Sequence, residues 1–277
     1  MLNIGTYQDL VAKRQSPPGV FLENELGEEI LLPNKYIPKT LNIGDTINVF
    51  VYLDFDERLI ATTIHPYATL NQFAMLEAVD ITTNGAFLYW GLEKDLFVPF
   101  KEQRAPMRKG EQYLVYIYFD KSSGRLAATE KYTKFLKKEI EGINEGDTVD
   151  LIIGNKTELG VNVIINEEYA GLVYNDDIYI PITKGDKITG YVKTIREDNK
   201  IDVTLQPMGY KKQIEPNAQK VLDILGRRGG KLALGDNSSP EIIKETLGMS
   251  KKNFKKAIGF LYKQKMILIS DSQISLI

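Results

Sequence analysis

The chain has 277 residues, 43% of them hydrophobic and 26% charged, with a formal net charge of −2. No run of about 18 apolar residues is present, so no helix is expected to cross a membrane, and residues 1–10 lack the basic-then-apolar pattern of a secretory signal. Cysteine is absent, which excludes disulfides, thiolate metal sites and cysteine nucleophiles. The single histidine, His65, cannot alone make a histidine zinc site, and its place before Pro66 reads as a linker.

The small net charge hides an asymmetry. Residues 211–277 hold 13 Lys/Arg against 6 Asp/Glu, whereas residues 1–210 hold 22 against 31. A polyanion is steered toward fixed positive charge, so it would meet the C-terminal segment first.

In chain order, the first two hundred residues contain one pattern three times. It reads Gly19-Val20-Phe21-Leu22, Ile30-Leu31-Leu32-Pro33, Gly44-Asp45; then Gly85-Ala86-Phe87-Leu88, Leu96-Phe97-Val98-Pro99, Gly110-Glu111; then Gly160-Val161-Asn162-Val163, Gly171-Leu172-Val173-Tyr174, Gly185-Asp186. The two outer glycines stand 25 apart in every copy, and the first glycine stands 14 from Pro33, Pro99 or Tyr174. After each Gly-Asp or Gly-Glu comes an alternating run: Ile47, Val49, Val51, Leu53; Tyr113, Val115, Ile117, Phe119; Ile188, Gly190, Val192, Thr194. Period-two alternation predicts strands with one buried face. A polar turn and a short strand (59–63, 126–129, 201–205) close each copy, and a further strand, such as 73–80, precedes it. Five short strands in so few residues predict a small closed barrel of the OB type.

Between the second and third copies, residues 134–142 place Phe135, Leu136 and Ile140 at helical spacing and read as a linker helix. Residues 209–213 link the third copy to the last segment, where the period changes. Ala218, Val221, Leu222 and Leu225 make a helical stripe ended by Gly229-Gly230. Ser239 caps a second helix with Pro240 at its first position and Ile242, Ile243 and Leu247 inward. Ser250 caps a third helix with Phe254, Ala257, Ile258 and Leu261 on one face. Residues 266–269 and 273–277 read as a hairpin. Helix, helix, turn, helix, hairpin is the winged-helix order. Lys251, Lys252, Lys255 and Lys256 share the face opposite the apolar stripe; they are point charges, suited to phosphates rather than to bidentate reading of bases.

The expected fold is therefore mainly β with a C-terminal α+β domain: three tandem five-stranded OB-fold barrels over 1–66, 67–133 and 143–209, a linker helix over 134–142, and a winged helix-turn-helix over 210–277.

The repeated units resemble the S1 RNA-binding domain, most clearly in Gly171-Leu172-Val173-Tyr174 and Lys184-Gly185-Asp186. Three such units followed by a winged helix resemble the bacterial conserved virulence factor B (CvfB) family over nearly the whole chain. That resemblance implies a cytoplasmic RNA-binding regulator of gene expression with single-stranded RNA as partner, no cofactor, no metal and no catalytic residues. It also implies site residues: in the first unit Phe21, with Asp54 and Arg58; in the second Phe87, with Asp120 and Arg125; in the third Tyr174, with Arg196 and Lys200. Bases stack on exposed rings and cations meet phosphates. None of the units keeps a full set, so affinity is expected to come from linked units acting together.

Because strand faces alternate, Phe21 and Phe87 read either as stacking rings or as core, and Arg58 and Arg125 either as phosphate ligands or as solvated hairpin charges. Trp90 reads as a stacking ring or a half-buried structural residue. The third unit and the lysines of the last helix are expected to form the main RNA surface. A duplex-DNA regulator acting through the winged helix, and a protein-binding scaffold, are the competing readings.

Overall fold

A computed structural model describes residues 1–206 and 216–277 of the chain; the residues 207–215, which hold the expected 209–213 linker and the 209/210 boundary, lie outside the described residues. Two compact units follow, 1–136 and 137–277.

The first unit contains two of the repeats. β1 (Tyr7–Ser16), β2 (Gly19–Glu23), β3 (Glu29–Pro33), β4 (Thr46–Leu53) and β5 (Leu59–Thr62) form a closed barrel in the order β1-β2-β3-β5-β4. β6 (Phe73–Ile81), β7 (Gly85–Tyr89), β8 (Leu96–Pro99), β9 (Gln112–Asp120) and β10 (Arg125–Thr129) repeat the order, but here β8 and β10 lie side by side without a hydrogen-bonded ladder. The second barrel is thus open along one seam, where a closed barrel was expected. In the first barrel that seam is joined by the single pair Leu31↔Ile60, and in the third by Gly171↔Ile201, Leu172↔Asp202 and Val173↔Val203. Pro33 and Pro99, which end β3 and β8, have no N–H to offer; Tyr174 at the same place does.

The repeated glycines have one structural purpose each. Gly19, Gly85 and Gly160 pair across the hairpin with Pro33, Pro99 and Tyr174, which is the origin of the 14-residue spacing. A methyl group on any of the three would fall on the carbonyl oxygen of Leu32, Val98 or Val173. Gly44, Gly110 and Gly185 adopt φ of 98°, 83° and 94° and donate to the carbonyls of Ala12, Ala78 and Ile153 at 2.7–2.8 Å. Those acceptors sit at the bulge of the first strand of each barrel. The turn is thereby pinned to the bend that curls the strand around the barrel.

Within the first unit the two barrels share a core. Phe50 and Tyr52 of β4 join Leu76, Leu88, Trp90, Val98, Val115 and Ile117 of the second barrel, with the rings of Phe50 and Trp90 edge-to-face at 5.8 Å. Trp90 is therefore structural: it is 3% exposed and donates from Nε1 to the carbonyl of Lys94 at 2.7 Å. His65 is exposed and sits 5.4 Å from the ring of Tyr7.

The helix expected over 134–142 does not form. A single 3-10 turn spans Tyr132–Phe135, and the chain then runs irregularly to β11. Tertiary partners outcompete the local helical pattern. Phe135 lies against Tyr116 and Tyr118, at 4.7 and 5.2 Å. In the second unit the Lys137 N–H donates to the carbonyl of Glu168 at 2.8 Å, and Ile140 packs on the third barrel's core.

In the second unit, β11 (Thr148–Lys156), β12 (Gly160–Ile165), β13 (Tyr169–Tyr174), β14 (Lys187–Ile195) and β15 (Ile201–Thr204) close the third barrel around Leu151, Ile153, Ile165, Val173, Val192 and Val203. The winged helix comprises α1 (Pro216–Arg227), β16 (Lys231–Leu232), α2 (Pro240–Leu247), α3 (Lys251–Lys263), β17 (Ile267–Ile269) and β18 (Ile274–Leu276), with sheet order β16-β18-β17. Ser239 and Ser250 cap α2 and α3, accepting from the N–H of Ile242 and Asn253. Ile242 was expected inward but is 51% exposed, because Ile243 and Leu247, four apart, set the buried face of α2. β16 had no counterpart in the sequence reading; two residues are too few for a periodic signal.

Candidate nucleic-acid interface

In each barrel the second and third strands carry an outward cross-strand pair: Phe21 opposite Leu31, Phe87 opposite Phe97, Asn162 opposite Leu172. These side chains point away from the core because their neighbours, such as Leu22, Leu88 and Val163, point into it. Phe21 and Phe87 are half-buried on this outer face. Their environments differ. The guanidinium of Arg14 covers the Phe21 ring at 3.8 Å while bonding both oxygens of Glu29, at 3.2 and 2.6 Å. Phe87 instead leans on Phe97, with ring centroids 5.1 Å apart, and both rings line an open cavity of about 520 Å³. That cavity is also bordered by Asn84, Trp90, Lys94, Asp95, Asp120 and Arg125, and by Tyr52 of the first barrel.

The smaller cleft of the first barrel, about 280 Å³, is lined by Pro18, Leu31, Pro33, Tyr36, Phe55 and Arg58, with Glu93 and Lys94 at its edge. Phe55 is 70% exposed at the tip of the hairpin. Burial pushes the Tyr52 hydroxyl well above its ordinary range, so it stays protonated.

The rim charges are nearly all committed. Arg58 is exposed and binds Asp54 through Nε and Nη2, at 2.9 and 2.7 Å. Burial pushes the Asp54 carboxyl up, but the backbone and guanidinium of Arg58 outweigh it, and the net shift is downward. The corresponding pair does not form in the second barrel. Arg125 is paired across the β9–β10 ladder with Asp120, yet its guanidinium reaches Glu57 of the first barrel, and Asp120 accepts from Ser122 and Ser123. In the third barrel Arg196 bonds Asp202 and the hydroxyl of Tyr174, so Tyr174 is half-buried beneath a guanidinium rather than free. Lys200 is held by Asp198 at 2.6 Å, and Lys193 by the buried Asp177 at 2.6 Å.

On α3, Phe254, Ala257, Ile258 and Leu261 are buried, which turns Lys252, Lys255 and Lys256 to solvent and leaves Lys251 half-buried. Lys255 is paired with Asp236 at 3.0 Å. No carboxylate pairs with Lys252 or Lys256 among the described residues.

The structure thus gathers Phe87 and Arg125 around one cavity and places Arg58 at the cleft of the first barrel, while Phe21 lies outside the residues lining that cleft. Phe97, Tyr52, Phe55, Lys94 and Asp95 were missed. Phe97 was readable, since it stands two residues before Pro99 on the face of the Phe87 strand pair; Tyr52 reaches the second barrel's cavity only through the shared core. No helix among the described residues is long and apolar enough to cross a membrane, and no group of His, Asp and Glu among them has metal-holding geometry.

Residues 219–276 match the CvfB-like winged helix domain, and residues 4–64 match the S1 domain. Over 266 residues the chain is 25% identical to the conserved virulence factor B of Staphylococcus saprophyticus, covering 92% of this chain and 88% of that protein. It is 24% identical over 243 residues to the conserved virulence factor B of Staphylococcus aureus strain N315, covering 85% and 81%. Among solved structures it resembles a multidomain protein with nucleic acid binding domains from Streptococcus pneumoniae, at 25% identity and a TM-score of 0.43, covering 99% of this chain and 98% of that one.

Proposed function

For a CvfB-like chain, with S1-type barrels ahead of the family's winged helix domain, we propose that the ligand is single-stranded RNA and the role post-transcriptional regulation without catalysis. In this reading bases stack on the barrel rings, Phe87 and Phe97 foremost, and phosphates meet the lysines of α3. Stacking is sequence-tolerant because every base has a π-face, and it contributes about 1–3 kcal/mol per base.

The observation that carries the reading is the division of labour among cations. Arg58, Arg125, Arg196 and Lys200 are already held by carboxylates, whereas Lys252 and Lys256 project from α3 without one among the described residues. A phosphate can take the free lysines without first breaking an ion pair. The match of residues 4–64 to the S1 domain agrees with a nucleic-acid ligand.

Competition of a labelled single-stranded RNA with duplex DNA of equal length tests the reading. RNA is expected to bind more tightly. A stronger footprint on duplex DNA assigns the winged helix to the major groove, and no affinity for either at low salt favours a protein scaffold.

A further inference from the structure

We infer that the cavity of the second barrel is a guanine-reading pocket, in which Asp95 accepts hydrogen bonds from the Watson–Crick edge of one guanine base of a bound strand. The inference rests on the proposed RNA function and adds to it a base and a residue.

The cavity's volume of about 520 Å³ is that of a small-molecule site, large enough for a base and its sugar. Phe87 and Phe97 supply an aromatic wall on one side, and Trp90, Leu96 and Leu126 further apolar lining. The first barrel completes it with Ile4, Tyr52 and Leu53, held in place by the shared core and by Lys94 Nζ, which donates to the carbonyl of Asp54 at 2.6 Å. Two aromatic rings and a shaped apolar surround favour a flat ligand over a flexible one.

Asp95 distinguishes one flat ligand from another. It stands one residue before β8 and two before Phe97. It lines the cavity half-buried, and no hydrogen bond or ion pair reaches its carboxylate among the described residues. Burial and the nearby Asp80 push its carboxyl up. A carboxylate open to the cavity with no protein donor among the described residues is free to accept from a ligand that supplies donors. Guanine offers two adjacent donors, N1–H and the 2-amino group, spaced for the two oxygens of one carboxylate; uracil offers a single N–H between two carbonyls that a carboxylate repels. Lys94 and Arg125 border the cavity, held there by the Asp54 carbonyl and by Glu57.

Trp90 lines the cavity and is the single tryptophan of the chain, so its emission reports occupancy in the intact protein. The experiment titrates GMP, IMP and UMP against Trp90 emission, and measures anisotropy of a U-only RNA and of the same RNA with one central G. GMP is expected to quench saturably, with IMP, which lacks the 2-amino group, and UMP each weaker by about tenfold or more. The single-G strand is expected to bind more tightly than the U-only strand and to quench more strongly. Asp95→Asn is expected to abolish the preference for G over U. Equal response to GMP, IMP and UMP, or a preference for G that survives Asp95→Asn, overturns the pocket's assignment to guanine. If GMP and the single-G strand have no effect on Trp90 while U-only RNA binds, the pocket fails and RNA binding stands; if no RNA binds, both fail. A GMP affinity equal to that of the single-G strand would overturn the strand as the source and make the free nucleotide the ligand.

Discussion

Arg196 donates to both carboxylate oxygens of Asp202, at 3.0 and 2.7 Å, and closes the rim of the third barrel with an ion pair of reversed polarity. In the first barrel the acid comes before the hairpin, Asp54, and the cation after it, Arg58. Arg196 stands in the place of Asp54: each donates its backbone N–H across the hairpin, to Lys200 at 2.9 Å and to Arg58 at 3.0 Å. Arg196, a phosphate ligand by resemblance, is instead held by Asp202, six residues later on β15.

A first prediction follows from that pair. Asp202→Asn releases Arg196 for a phosphate, so affinity for single-stranded RNA rises and the salt dependence steepens by about 0.7 in the log–log slope. The pair is partly solvent-exposed, so the cost to folding is small. Anisotropy titrations at several salt concentrations measure both effects. An unchanged slope would remove the rim of the third barrel from the RNA path.

A second prediction concerns acid. Burial pushes the Glu102 carboxyl up, but hydrogen bonds from Lys134 and Thr129, at 2.7 and 2.6 Å, outweigh it, and the net shift from the ordinary 4.5 is downward. A lowered carboxyl stabilises the fold above its unfolded pKa and loses that contribution as pH falls through the folded value. Glu102→Gln should therefore lower the melting temperature at pH 7, and the difference from wild type should shrink toward pH 3. A difference independent of pH would mean that Glu102 acts by packing alone.

The third prediction contrasts two glycines. Gly160→Ala drives a methyl onto the carbonyl of Val173 and forces β12 and β13 apart, with an expected loss of roughly 1–3 kcal/mol from overpacking. Gly259→Ala, in the middle of α3 with open space around the new methyl, should gain about 0.5–1 kcal/mol from helix propensity. Chemical denaturation measures both.

Much of the fold was readable because the repeat spacings are themselves structural distances. The 14-residue interval is the Gly19↔Pro33 register, repeated at Gly85↔Pro99 and Gly160↔Tyr174. The 25-residue interval joins the hairpin glycine to the positive-φ turn at Gly44, Gly110 and Gly185. The caps Ser239 and Ser250 were readable for the same reason: their hydrogen bonds are local. What escaped is non-local. Phe50 and Trp90 meet across two barrels, 40 residues apart, and nothing in either repeat announces a shared core. The helix expected over 134–142 was lost to the bond from Lys137 to Glu168 and to the Phe135 ring cluster. Of the candidate site, the positions of Phe87, Arg125 and the α3 lysines were legible, whereas which cations were already paired was not, since Arg125 finds Glu57 only in the folded unit.

The central proposal is that Lys252 and Lys256, unpaired among the described residues, carry the phosphate contacts. Its most direct measurement is equilibrium binding of a labelled single-stranded RNA of about 20 nucleotides to the full chain and to Lys252→Glu/Lys256→Glu, across a salt series. The expected result is a negative log–log slope for the native chain, with affinity in the double variant at least about tenfold lower and the slope shallower by about 1.4, two phosphate contacts at roughly 0.7 each. Affinity within about twofold of the native chain, with an unchanged slope, would contradict the claim and return the phosphate contacts to the barrels.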